Sequence, residues 1–366
     1  MTVLLNSAVM YFPLVSWIVA GVFIVMVPII IVGNVLVLAS ILLDPFKNIR
    51  SAPSSYIIFN LALADLLVGV FPLPLMSHFY IYFLTNNSKP FPSSVISFVT
   101  ALAVGVSLDS LLTLSADRLL AIKTPLKYNI QVTKKRITRL NIFIWFHLLL
   151  LGILPLINQL RPLFAFISFC YMLVASVALT LLNISLIYLV RNRGRNIRNF
   201  FESENLAVLQ NTFNREKVVT RVAVIVTVAF EVCFLPVLIL QTLSSLVTKM
   251  ADFSLKTPLY LLTIVLIYSN SLMNPFLYAW RLPKYRKAFR YIFNKIKNKI
   301  PVFSLLRSEL APSDDGARCH GKQNNRSTFQ ADGASYLHNF ENNNNATNHT
   351  GLDNVNDMKT IQNTKF

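Results

Sequence analysis

The chain has 366 residues, 54% of them hydrophobic and only 14% charged, with a mean hydropathy of +0.54. Such values lie outside the range of soluble globular chains and exclude a soluble domain with a polar surface. The net charge of +18 does not call for nucleic acid as a partner, because the basic residues fall between apolar runs, where membrane topology and attraction to anionic membrane lipids account for them.

No charged residue occurs between Met1 and Asp44. Further apolar runs lie at about 55–80, 90–116, 140–157, 162–190, 222–248 and 257–280. Each is long enough to cross a hydrocarbon core of about 30 Å, which takes roughly 20 helical residues. Seven spans are predicted, and they must be helices, since in lipid each segment has to satisfy its own backbone polar groups. The fold class is thus an all-α membrane protein, a seven-transmembrane helix bundle.

Lys and Arg number 2 in 44–54, 7 in 118–139, 7 in 189–221 and 8 in 281–300. Against these stand only Lys89, Arg161, Lys249 and Lys256 on the other side. The positive-inside rule then places the N-terminus outside and the C-terminus in the cytoplasm of a multi-pass membrane protein. A cleaved signal peptide is not expected, because no basic segment precedes the first apolar run. The predicted organisation is a short extracellular N-terminus (1–15), the seven-helix domain (16–281), an amphipathic helix on the inner membrane surface (282–300) and a disordered cytoplasmic tail (301–366). The surface helix is read from RLPKYRKAFRYIFNKIKNK, with bases and aromatics at helical spacing. The tail is read from its Asn-rich, apolar-poor composition. Sequons at Asn345 and Asn348 fall in that tail and are chance matches; Asn86 is on the outer side, in a short loop that leaves glycosylation open. Cys170 and Cys233 lie inside spans and Cys319 in the tail, so no structural disulfide is expected.

The intramembrane polar residues decide among seven-helix classes. Between Lys256 and Arg281 there is no charge, yet NSLMNPFLY at 270–278 sets two asparagines, a serine and a proline into lipid. GNVLVLASIL (33–42), NLALADLL (60–67), SADRLLAIKTPLKY (115–128), Trp145, FEVCFLP (230–236) and NSLMNPFLY follow in an order and spacing that resemble the rhodopsin-like, class A, G-protein-coupled receptors over about residues 20–295. The resemblance implies a receptor that passes an extracellular ligand's binding to a heterotrimeric G protein, with arrestin as a further partner through the tail, no enzymatic activity and no cofactor beyond an allosteric sodium ion.

A carboxylate within a membrane helix costs about 2.5–3.5 kcal/mol on insertion scales, so Asp65 needs partners or water. Asn270 and Asn274 share a face of the seventh helix with Ser271 beside them. The resemblance implies that Asp65, Ser107, Asn270, Ser271 and Asn274 surround a water-filled cavity that holds sodium; a buried hydrogen-bonded network without an ion is the alternative. Pro275 should free the carbonyl of Ser271, and Pro236 should loosen the sixth helix in the same way. The family's switch maps onto Asp117, Arg118, Glu216, Phe230, Phe234, Pro236, Asn274, Pro275 and Tyr278. Glu216 stands where the family tethers the arginine, although simple snorkelling would also place Arg and Glu at membrane borders. Arg118 and Leu126 are the implied G-protein contacts, with a plain loop anchor as the other reading of Leu126.

Several positions depart from the family. Leu119 replaces the usual tyrosine after Arg118, Phe234 the usual tryptophan, and the fifth span has no proline beyond Pro162. The outer disulfide is missing, a pattern similar to melanocortin receptors. Thr100 stands where amine receptors carry an aspartate, Tyr268 where opsins carry a lysine, and Leu75, Ser93 and Ser97 supply none of the acids of melanocortin receptors. What remains is Phe98, Thr100, Phe234, Gln241, Tyr260 and Tyr268, an apolar and aromatic set that suits a neutral small molecule or a lipid, although any one of these aromatics could be a packing residue. Asp109 and Glu231 have no identifiable partner, and His147 reads as an interhelical polar group. A ligand-independent receptor-like scaffold remains open. A sodium-coupled transporter would show internal repeats, and none is apparent. An enzyme would need clustered nucleophiles or metal ligands, which five scattered histidines and three separate cysteines do not supply.

Overall fold

Long apolar runs without internal charge fold as helices because each backbone N–H finds its acceptor four residues back, independent of solvent. The computed structural model describes residues 13–86, 93–199, 205–246 and 253–299. It consists there of α1 (Pro13–Leu43), α2 (Ser54–Val70), α3 (Pro72–Asn86), α4 (Ser93–Lys123), α5 (Pro125–Gln131), α6 (Lys134–Ile153), α7 (Arg161–Asn199), α8 (Asn205–Leu246), α9 (Phe253–Arg281) and α10 (Pro283–Lys299). No strand occurs among the described residues. Seven segments are long and apolar enough to cross a membrane: α1, α2 with α3, α4, α6, α7, α8 and α9. The tail from 301 on, with Cys319, Asn345 and Asn348, lies outside the described residues, as do Lys89, Lys249 and the side chains of Asn86 and Lys256.

The second span is broken at Phe71, where a single helix was expected. Pro72 and Pro74 lack the N–H groups that would continue the ladder. The amide of Phe71 still donates to Leu67 O (3.0 Å), closing α2 before α3 begins. Conversely, α7 and α8 run past the apolar segments into the basic region, since helix needs no apolar face once nucleated. The link between α6 and α7 is two 3-10 turns, Leu154–Leu156 and Asn158–Leu160, as short as the sequence requires.

α4 is the central helix and packs against α2, α6, α7 and α8. α9 closes the ring by packing on both α8 and α1. The close approach of α1 and α9 depends on Gly33: a Cβ there would lie 2.9 Å from Cγ of Pro275. α10 buries Tyr285, Ala288, Phe289 and Ile292 at helical spacing against α1 and α9, while its Lys and Arg residues from Lys284 to Lys297 stay exposed.

Between α1 and α2 the chain turns on Asp44. Its Oδ1 accepts from the amides of Asn48 and Ile49 (3.0 Å each) and its Oδ2 from that of Arg50 (2.9 Å). Asp44 and Lys47 adopt positive φ of 34° and 52°, a left-handed backbone that this carboxylate holds in place. Burial opposes ionisation of Asp44, but the amides of Arg50, Ile49 and Asn48 outweigh it and hold the carboxyl below its ordinary range.

Candidate functional site

The buried carboxylate of Asp65 on α2 is fully enclosed. Its Oδ1 accepts from Ser271 Oγ (2.8 Å) and Ser107 Oγ (3.4 Å), and its Oδ2 from Asn274 Nδ2 (2.7 Å). Three helices, α2, α4 and α9, thus converge on one side chain. The buried amide oxygens of Asn270 and Asn274 have no hydrogen-bond partner. One carboxylate and a surplus of neutral oxygens form the donor set of a hard cation, so the residues present fit a sodium ion. The expected free carbonyl of Ser271, one turn before Pro275, accepts from Asn34 Nδ2 at 3.2 Å. That amide also donates to Ile30 O (3.0 Å) and so ties α1 to the site.

At the basic end of the bundle, Arg118 is buried, with only 3% of its surface exposed, and four of its five N–H donors are bonded. Nε and Nη2 donate to Asp117 Oδ2 (2.9 and 2.6 Å), and Nη1 donates to Glu216 Oε2 on α8 (2.8 Å). Tyr128, which carried no role in the sequence reading, completes the cluster. It accepts from Arg118 Nη2 (3.1 Å) and donates to Asp117 Oδ1 (2.7 Å). Tyr128 reaches them because Thr124–Pro125 starts the short helix α5, with proline at its first turn. Burial raises the phenol above its ordinary range, against the pull of Arg118 and with Asp117 adding to the rise, so it remains a donor at physiological pH. Leu126 also lies on α5, but its side chain is outside the described residues. Arg193 Nη2 of α7 donates to the terminal carbonyl of Lys123 (2.7 Å) and caps α4.

Farther along α8 from Glu216, Phe230 and Phe234 stack with centroids 5.0 Å apart and planes at 15°. Pro236 continues α8 beyond them, and Tyr278 is buried beside Tyr285 (5.8 Å). Two further bonds join α7 to α8, Thr227 Oγ1 to Asn183 Oδ1 (2.8 Å) and Ser176 Oγ to Glu231 Oε2 (2.6 Å).

The residues expected to meet a ligand separate into groups. Thr100 and Tyr268 share a hydrogen bond of 3.0 Å, and Tyr268 meets Phe23 edge-on at 5.6 Å. Phe234 is buried with Phe230. Phe98 instead packs on Gly152 of α6, where a Cβ would lie 3.2 Å from its ring. Tyr260 and Gln241 are half-buried on α9 and α8. The two unexplained acids acquire partners: Glu231 has Ser176, and Asp109 accepts from Tyr171 Oη and lies 3.3 Å from His147 Nε2. Tyr and Ser recur throughout the spans, which is why neither pairing could be picked out from the sequence. Cys170 and Cys233 are free.

The profile of the seven-transmembrane receptors of the rhodopsin family matches residues 33–278. The adenosine receptor A2b of Gallus gallus is 27% identical over 81% of this chain and 91% of that receptor. The human adenosine receptor A2a is 28% identical over 72% of the chain and 68% of the receptor. The galanin receptor 2a of Danio rerio is 27% identical over 81% and 85%. With two thirds of its length matched, seven helices able to span a membrane, and residues of its motifs meeting in two buried polar clusters, the chain belongs to the rhodopsin family of seven-transmembrane, G-protein-coupled receptors, which are receptors and not enzymes.

Proposed function

We propose that the protein is a plasma-membrane receptor, N-terminus outside, that rests in an inactive state held by Arg118 and a sodium ion and is released by a small neutral or lipid-like ligand. The observation that carries this reading is the complete enclosure of Arg118 by Asp117, Glu216 and Tyr128. A guanidinium so held cannot reach a G protein until α8 moves away from α4, taking Glu216 with it. The orientation is supported by the basic residues gathered at that end of the bundle and along α10.

The ligand class rests on chemistry rather than on the relatives' names, which point to adenosine for some and galanin for another. Thr100, Tyr260, Tyr268 and Gln241 offer hydroxyl and amide groups and no charge, which suits an uncharged molecule. Sodium would be held by Asp65, Ser107, Asn270, Ser271 and Asn274 and would supply a positive charge beside the buried carboxylate. If it fits only the resting arrangement, it opposes activation by its differential affinity for the two states.

The test is G-protein activation in cells at matched surface expression, without ligand and then with pooled lipids, nucleosides, amines and peptides. Glu216→Ala should raise ligand-independent activation and Arg118→Ala should abolish activation. Unchanged basal activation in the glutamate variant would refute the tether, and a response confined to amines or peptides would refute the ligand class.

A further inference from the structure

We propose that the groove between α7 and α8 is a second binding site, open to the bilayer, for a neutral amphiphile whose hydroxyl group bonds to Glu231. The groove has a volume of about 410 Å³, within the range of sites that hold one small molecule. Its walls are Val177 and Leu181 of α7 and Leu235 and Ile239 of α8. These side chains are exposed and apolar on helices of membrane-spanning length, so the medium that meets them is lipid, and an occupant enters from there.

Glu231 gives the groove its chemistry. It lies about 22 Å along the helix from Glu216, at 1.5 Å per residue, deep within the span. Only 7% of its surface is exposed. Oε2 accepts from Ser176 Oγ, while Oε1 is buried with no hydrogen-bond partner. A carboxyl oxygen without a partner in lipid is costly. The torsion at the carboxyl group is soft, so either oxygen can turn toward the groove that Glu231 lines. What is missing is a donor. The Ser176 hydroxyl is already given to Glu231, that of Thr242 to Leu238 O (2.8 Å), and that of Thr180, the third hydroxyl along the groove, makes no bond to Glu231. A hydroxyl supplies the donor without carrying a charge into the hydrocarbon, and an apolar body attached to it would cover the four wall residues. Sterols and single-chain acylglycerols both offer that chemistry.

The experiment uses the full-length receptor in lipid nanodiscs with two photoactivatable probes, a diazirine sterol and a diazirine monoacylglycerol, and maps labelled peptides by mass spectrometry. Labelling is expected on 173–181 and 235–242 from at least one probe, which identifies the source. Excess parent alcohol should compete, and its methyl ether, which lacks the donor, should not. Glu231→Leu should lower labelling about tenfold, the scale of a lost hydrogen bond to a charged or buried acceptor. Val177→Trp, a change on the lipid-facing surface that leaves Glu231 intact, should abolish it by filling the groove. Labelling spread evenly over all lipid-facing helices, equal competition by the ether, or full labelling of monodisperse Val177→Trp receptor would overturn the proposal.

Discussion

At the scale of single residues, Asp65 and Arg118 solve the same problem differently. Each is a charge in an apolar bundle, which persists only if compensated. Arg118 is compensated by two acids and a phenol, whereas Asp65 has three neutral donors and two idle amide oxygens beside it. Asp65→Asn, nearly isosteric but neutral, should therefore remove any inhibition of basal signalling by sodium. Potassium at equal ionic strength is the control, since screening is common to both salts and cavity size is not; a sodium response that survives in the variant would make Asp65 a structural residue. Tyr128→Phe loses both bonds of one hydroxyl and should raise basal activation several-fold, less than Glu216→Ala, because Glu216 still ties the arginine to α8. The Asp65 cluster was legible in the sequence through the family resemblance of the motifs that carry it, with only the shared face of Asn270 and Asn274 following from their one-turn spacing. Tyr128 was not, because its reach depends on α5, a short helix in what the sequence presents as an inner loop.

At the scale of elements, the spans could be read from hydropathy, but their ends and breaks could not. α2 and α3 read as one apolar run, and only the absence of amide hydrogens at Pro72 and Pro74 separates them. The turn at Asp44 shows how one side chain can set the junction of two helices. The carboxyl of Asp44 lies below its ordinary range in the folded loop, so its stabilising contribution is fully present at neutral pH, begins to fall as the pH drops through the ordinary carboxylate range near about pH 4, and is gone once the pH has passed below the lowered value. Hydrogen exchange at the amides of Asn48, Ile49 and Arg50 should follow that course. In Asp44→Ala those amides should exchange rapidly at every pH, and protection equal to that of the natural chain would show that the backbone holds the turn unaided.

At the scale of the whole molecule, the bundle is held together by buried polar links rather than by covalent ones. Trp145 Nε1 donates to Asn60 Oδ1 (2.8 Å) and Asn60 Nδ2 to Ser110 Oγ (2.9 Å), joining α6, α2 and α4. The Ser176 and Thr227 bonds join α7 to α8 where the family's fifth-helix proline is absent. With Cys170 and Cys233 free, mild reductant should leave surface expression and signalling unchanged. Loss of either on reduction would reveal a disulfide that the spacing of three cysteines does not suggest. The bond from Asn34 to the carbonyl of Ser271 spans 237 positions of chain, and this has a consequence for biosynthesis. At translation rates of about 5–20 residues per second, the side chain of Asn34 waits about 10–50 s for its acceptor to be made. Over that interval the amide must be satisfied by its own helix at Ile30 or by another molecule in the translocation machinery. The first helix to be inserted is thus completed only when the last one arrives.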